Sequence, residues 1–376
     1  MTQQAQVARA RMAESPSDPR FSLLLRLQRR SPAWRWGVPI VLLAAIALIV
    51  GLALAPAGES ARQGPAPGTI AAPTSALPVL TSAGPTPSAG DLGDPSVLTV
   101  PAGNGGPARY IVFGTGDWPY NVPTAVSTDL KTWHRVGDAM PIVPRWSATD
   151  KFHSHIWAPA VRRIGNRWLM YVTVPDRASH RQCIAVTESK KPEGPYADAL
   201  GHPLVCQSAL GGSIDASVVV TSTGPTLLWK SDGNCCHLPA TLWSQTLRAD
   251  GLAVTGTPHS LLQADEKWQQ GVMEEPAAIP NSAGGWWLFY SGGFYNGPGY
   301  AIGIASCRTL SGPCEERSKS PYAASVPGQR SPGGLETFVD LQGRLRVVFD
   351  TWTRPPDANG HYDCCRAIDL ATVTNT

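Results

Sequence analysis

From residue 91 onward the apolar positions of this chain fall into short runs that repeat. YIVF ending at Phe113, WLMY at Tyr171, TLLW at Trp229, WLFY at Tyr290 and RVVF at Phe349 each close on an aromatic residue, at intervals of 58, 58, 61 and 59 residues. A second run precedes each: PSVLTV after Asp94, APAV at Ala158, ASVVV at Ala216, EPAAI at Glu275 and LETFV at Leu335. A third follows, as in TAVSTDL, CIAVTES, LWSQTL, IGIASC and RAIDL. Turn pairs such as Gly165-Asn166 and Gln342-Gly343 separate the first run from the second. Runs this short, bounded by turns, read as strands, and no segment keeps a helical apolar period. Five copies of one three-run meander predict an all-β five-bladed β-propeller over 91–376. A β-sandwich would not produce the same unit five times.

The N-terminal quarter follows different patterns. Residues 37–57 read GVPIVLLAAIALIVGLALAPA, without a charge. That run has the length a helix needs to cross a bilayer. Arg29, Arg30 and Arg35 precede it, and Trp34 and Trp36 stand where interfacial aromatics belong. The expectation is an uncleaved transmembrane signal anchor that touches the lipid bilayer and leaves residues 1–36 in the cytoplasm. The alternative is a secreted protein cleaved near Ala57, since Ala55-Pro56-Ala57 resembles a small-x-small site. Residues 58–90 are rich in Pro, Ala, Gly, Ser and Thr and read as a disordered linker.

Charge and cysteine content narrow the function classes. The net charge is +3, and seven Arg against two acids in 1–36 account for more than all of it. The folded part therefore carries no basic excess, which excludes a nucleic-acid partner. All eight cysteines follow residue 182, on the outer side of the expected membrane segment. Disulfides in an oxidising compartment are expected rather than a metal site, because no CxxC pair occurs. Cys183 with Cys206, and Cys307 with Cys314, look like local clasps. The adjacent pairs Cys235-Cys236 and Cys364-Cys365 could bridge blades 3 and 5 or close on themselves.

The acids fall at informative points of the repeat. Just before the first strand of each blade stand Asp94 in GDPSV, Trp157 in HIWAPAV, Asp215 in SIDASV, and Glu274 with Glu275 in MEEPAAI. First strands line a propeller's channel, so carboxylates from three blades converge at one mouth. That is the arrangement glycoside hydrolysis uses. One carboxylic acid protonates the leaving oxygen, a carboxylate activates water, and a third raises the acid's pKa.

At these residues the chain resembles the family-43 glycoside hydrolases: arabinanases, arabinofuranosidases and β-xylosidases. The matching stretches are GDPSV, NVPTAVSTDLKTWHRVGDAMP, IWAPAV, GSIDASV, EEPAAI, WWLFYSGGFYNGPGYAIGIAS and GPC. The resemblance implies single-displacement inversion on arabinofuranosyl or xylosyl linkages of an oligo- or polysaccharide. It implies Asp94 as general base, Asp215 as the residue that tunes and orients the acid, and a Glu as general acid. The family motif places that Glu two residues before Pro and selects Glu274. Aligning the internal repeats by their Pro selects Glu275 instead. Glu274 is taken as the acid, because the family motif is the more specific register.

Many members hold an axial cation through a His at the start of blade 5. Gly334 stands there in this chain, so an axial calcium is in doubt and no cofactor or metal is expected. Two other classes remain open. A non-catalytic carbohydrate-binding propeller would lack one of the acids. A retaining fructosidase-like furanosidase would show an NDPNG-like start and an RDP triplet, which are absent.

Further residues share the active face. Trp157 either stacks a sugar ring or closes a blade interface. Trp118, Asp350 and Trp352 follow second strands, as do Lys230 and Asp232 in WKSDGN, and His153 and His155 precede blade 2's first strand. Trp157, Trp118, His155 and Asp350 are expected to bind substrate.

Overall fold

The computed structural model describes residues 76–86, 91–103, 106–117, 119–149 and 155–376. The chain divides into two units, Met1–Gly68 and Thr69–Thr376, and every described residue lies in the second. β1 (Val79–Pro85) precedes the first blade in the chain. Blade 1 consists of β2 (Ser96–Val100), β3 (Arg109–Phe113), β4 (Pro123–Ser127) and β5 (His134–Asp138). Blade 2 has β6 (Trp157–Ile164), β7 (Arg167–Asp176), β8 (Arg181–Ser189) and β9 (Ala197–Asp198). Blade 3 has β10 (Ser213–Thr221), β11 (Gly224–Ser231), β12 (Thr241–Leu247) and β13 (Val254–Gln263). Blade 4 has β14 (Met273–Pro280), β15 (Trp286–Gly292), β16 (Ala301–Cys307) and β17 (Cys314–Glu316). Blade 5 has β18 (Arg330–Val339), β19 (Leu345–Trp352) and β20 (Arg366–Thr374), completed by β1.

Each sheet is an antiparallel meander, and its first strand touches the first strand of the next blade all the way round. The five-bladed all-β fold expected from the repeat is the fold observed. The aromatic-ended runs are the second strands, and their near-continuous apolarity has a physical cause. Both faces of each blade are covered by a neighbour. In β3, Tyr110 and Val112 pack toward blade 5, whereas Ile111 and Phe113 pack toward blade 2. In β7, Met170 and Val172 face blade 1, and Leu169 and Tyr171 face blade 3. The apolar residues thus form five cores, one at each blade interface. Full burial of such side chains stabilises by about 1.5–3 kcal/mol apiece.

The linker expected over 58–90 does not extend to residue 90. β1 pairs antiparallel with β20, with Leu80 opposite Val373 and Ser82 opposite Ala371. Its alternating exposed and half-buried pattern is that of an edge strand, so it contributes backbone hydrogen bonds more than apolar burial. Leu80 still packs on the core between blades 4 and 5, and the Tyr322 hydroxyl bonds to the Pro78 carbonyl. A strand from before blade 1 therefore closes blade 5, which joins the two ends of the ring in one sheet.

The expected membrane segment 37–57 lies outside the described residues. Among those residues no helix is long and apolar enough to cross a membrane.

Closure by β1 is testable. Protein beginning at residue 91 leaves β20 as an open edge. Its Tm should fall by on the order of 5 °C relative to protein beginning at residue 76. Equal melting temperatures would show that the ring closes without β1.

Candidate active site

One backbone device recurs where each blade's first strand meets the channel. Asp94, Ala158, Asp215 and Glu275 adopt left-handed backbone, with φ between 44° and 56°, and Gly334 does so with φ 63°. In β6, β10, β14 and β18 the ladder register slips across these positions, as a β-bulge does. Such a conformation costs a non-glycine residue roughly 1–2 kcal/mol, and bulges commonly re-aim side chains beside active sites. The left-handed residues of blades 1, 3 and 4 are all acids. Asp94, Asp215 and Glu275 line an axial cavity of about 20 Å³, room for about one water. Glu274 stands one position earlier, in register with Gly93, Trp157, Ile214 and Gly333. It lines the larger cavity of about 380 Å³ at the channel mouth, together with Asp94, Asp215 and Glu275, but not the axial one.

The acids differ in their partners. Asp94 accepts a hydrogen bond from Arg366 at 2.9 Å and another from the Thr115 hydroxyl, and its N–H donates to Asp350 at 2.7 Å. Arg366 also lies 3.5 Å from Asp350 and 3.7 Å from Asp91. Burial works against its charge, but Asp94, Asp350 and Asp91 hold the guanidinium above the ordinary arginine value. Gly93 makes room for this arrangement, since a Cβ there would lie 1.6 Å from the guanidinium carbon.

Asp215 is 7% exposed, and its N–H donates to Thr173. Burial first, then the charges of Glu274 and Asp94, push its carboxyl well above the usual carboxylate range, against the opposing pull of Lys230. Glu275 is raised well above that range too, by burial and then by Asp94 and Asp215. Glu274 accepts from Tyr300 at 2.8 Å on one oxygen and from Lys230 at 2.8 Å on the other. Tyr300 is held above the ordinary tyrosine value by burial and by the two glutamates. Its ring occupies the space that a Cβ on Gly333 would need.

The expected substrate contacts separate into three groups. Trp157 lines the mouth cavity, half-buried, with Tyr295 and Cys235 also on its wall. His155 is exposed and meets Trp157 edge-to-face at 6.3 Å. Trp118 and His153 lie outside the described residues. Asp350 is a correction: it is only 2% exposed and does not reach the rim. Read as following a second strand, it lies instead within β19, and its carboxyl turns inward to accept from the Asp94 backbone N–H. Burial raises its pKa to about 7, with Arg366 opposing. Trp352 is likewise buried, stacked on Tyr362.

The cysteines form the expected clasps, Cys183–Cys206 and Cys307–Cys314. The adjacent pairs resolve to vicinal bridges, Cys235–Cys236 and Cys364–Cys365, rather than a link between blades.

Position 334 cannot supply an imidazole for an axial cation. A Cβ there would lie 2.8 Å from an Asp350 oxygen and 3.2 Å from the Asp94 backbone.

From the sequence neither Arg366 nor Tyr300 is given a role, although Tyr300 lies within the matching stretch WWLFYSGGFYNGPGYAIGIAS. The signal available was indirect: Gly93 and Gly333, one position before the left-handed residues, leave the space these two side chains fill.

Comparison with known proteins agrees with this geometry. Residues 87–374 match the model of the glycosyl hydrolases family 43. A β-D-galactofuranosidase of Aspergillus niger is 25% identical over 261 residues, covering 64% of this chain and 70% of its own. The structure of a thermostable family-43 glycoside hydrolase superposes with a TM-score of 0.64 at 24% identity, covering 75% of this chain and 89% of its own. An endo-arabinase from Bacteroides thetaiotaomicron gives 0.61 at 20% identity, with coverages of 78% and 97%. An α-L-arabinofuranosidase from Lactobacillus brevis gives 0.60 at 17%, with coverages of 75% and 90%. With its five blades, its acids at one channel mouth and a family match across the whole propeller, the chain belongs to the glycosyl hydrolases family 43.

Proposed function

We propose that this glycoside hydrolase cleaves furanosidic linkages by a single inverting displacement. The observation that carries the reading is the convergence of Asp94, Asp215 and Glu274 from three blades on one 380 Å³ cavity. Asp94, fixed by Arg366 and Thr115, takes a proton from water as its oxygen bonds to the anomeric carbon. Glu274 gives its proton to the departing glycosidic oxygen as that bond breaks. Asp215, buried and facing Lys230 and Glu274, holds the geometry and charge around the acid. Glu275 lines the axial cavity as well as the mouth, accepts from the Ser291 hydroxyl, and transfers no proton to substrate. Furanosides are favoured because the similar proteins include a β-D-galactofuranosidase and an α-L-arabinofuranosidase, with arabinose the first expectation.

Asp94→Asn, Asp215→Asn and Glu274→Gln should each lower kcat by about 10³-fold or more on natural linkages in protein whose circular dichroism shows it still folded. Glu275→Gln should keep activity within about tenfold of wild type. Loss in Glu275→Gln beside an active Glu274→Gln would exchange their roles. On p-nitrophenyl α-L-arabinofuranoside, β-D-galactofuranoside and β-D-xyloside, a furanoside should give the highest kcat/KM; preference for the xyloside overturns the sugar assignment. NMR of the first product formed should show the inverted anomer, and retention would require an enzyme nucleophile.

We also propose that the propeller works outside the cytoplasm, held by residues 37–57 and a tether that ends before β1. Support comes from the uncharged run, the arginines before it and the four disulfides. Cells making a C-terminally tagged protein should retain it in the membrane fraction at full mass. Tagged protein in the culture fluid at a reduced mass would show cleavage and secretion instead.

A further inference from the structure

Lys230 is a buried amine that the mechanism above leaves without a task. It projects from β11, the second strand of blade 3, and its side chain is 1% exposed. Across the interface with blade 4 its Nζ donates to Glu274 Oε2 at 2.8 Å, and Asp232 lies 3.9 Å away. Tyr300 donates to the other oxygen of Glu274. Both oxygens therefore have a fixed donor, and Glu274 still lines the cavity where a leaving group would sit.

We propose that Lys230 is a positioning residue for the general acid, stabilising the Glu274 carboxylate as it forms during proton transfer to the leaving oxygen. This rests on the assignment of Glu274 as that acid. When Glu274 gives up its proton, a negative charge appears among the carboxyls of Asp215, Asp232, Glu275 and Asp94. Arg366 is engaged with Asp94, Asp350 and Asp91. Lys230 is the cation paired with Glu274 among the described residues. Donors already in place where charge develops assist the transition state without reorganisation. Burial opposes the charge on Lys230, yet Glu274, Asp215 and Asp232 together hold the ammonium above the ordinary lysine value.

A group acting through the acid matters only when the leaving group needs a proton. The test compares methyl and 2,4-dinitrophenyl α-L-arabinofuranosides, or the matching β-D-galactofuranosides if that sugar is the one accepted. Lys230→Met should lower kcat/KM by about 100-fold on the methyl glycoside but by no more than about fivefold on the dinitrophenyl glycoside. Lys230→Arg should show the same split at smaller size, and it serves in place of Lys230→Met if that variant melts early. Glu274→Gln is the control. If it shows no such split, the acid assignment fails, whatever Lys230 does. If it splits while the folded Lys230 variants lose equally on both substrates, the role assigned to Lys230 is overturned.

Discussion

The site depends on how five carboxyls can be crowded along the axis and at the mouth of a narrow channel. Asp94, Asp215, Glu274, Glu275 and Asp350 converge there, and an isolated buried carboxylate costs several kcal/mol even after relaxation. The structure meets that cost in two ways. Arg366 is set against Asp94, and Lys230 against Glu274, at 2.9 and 2.8 Å. Asp215, Glu275 and Asp350 are pushed upward by burial, toward the neutral form. Fewer charges than carboxyls is the condition under which such a cluster can exist.

The two cations are not interchangeable. Arg366 reaches three carboxylates with a planar fork and lies 5.6 Å over the Trp352 ring, which suits a group that must hold Asp94 in one orientation. Lys230 is a compact point charge on one oxygen of Glu274. Each ion pair also spans a blade interface, Arg366 from blade 5 to blade 1 and Lys230 from blade 3 to blade 4. The electrostatics that serve the chemistry thus reinforce the ring at two of its five joints.

Much of this was legible in the sequence, for reasons that can be named. The blades were visible because burial on both faces forces apolar runs at a fixed period, as in WLMY and WLFY. Asp94 and Asp215 were visible because each stands at the same phase of the repeat, just ahead of an apolar first strand. β1 was hidden because an edge strand needs few apolar residues, and Leu80 is its residue that packs on a core, within a Pro/Ala/Ser-rich stretch. Asp350 showed its face but not its depth, since one residue of strand direction does not say whether a side chain turns to the rim or the axis. Arg366 was hidden most thoroughly: it reaches Asp94 across 272 residues of chain, and only the missing side chain of Gly93 hints at it.

The adjacent glutamates show what the bulge accomplishes. Were β14 a regular strand, Glu274 and Glu275 would simply point to opposite faces of the sheet. The left-handed backbone at Glu275 turns its carboxyl into the axial cavity with Asp94 and Asp215, where it is nearly closed off from solvent. Glu274, one residue earlier, falls in the register that Trp157 occupies in blade 2 and faces the mouth. The two conflicting sequence registers were therefore both correct as structure. Both glutamates border the mouth cavity, but Glu275 also lines the axial one, whereas Glu274 belongs to the mouth alone. Alignment by Pro finds the residue shared with the axis, and the family motif finds the one committed to the mouth, where a departing oxygen would sit.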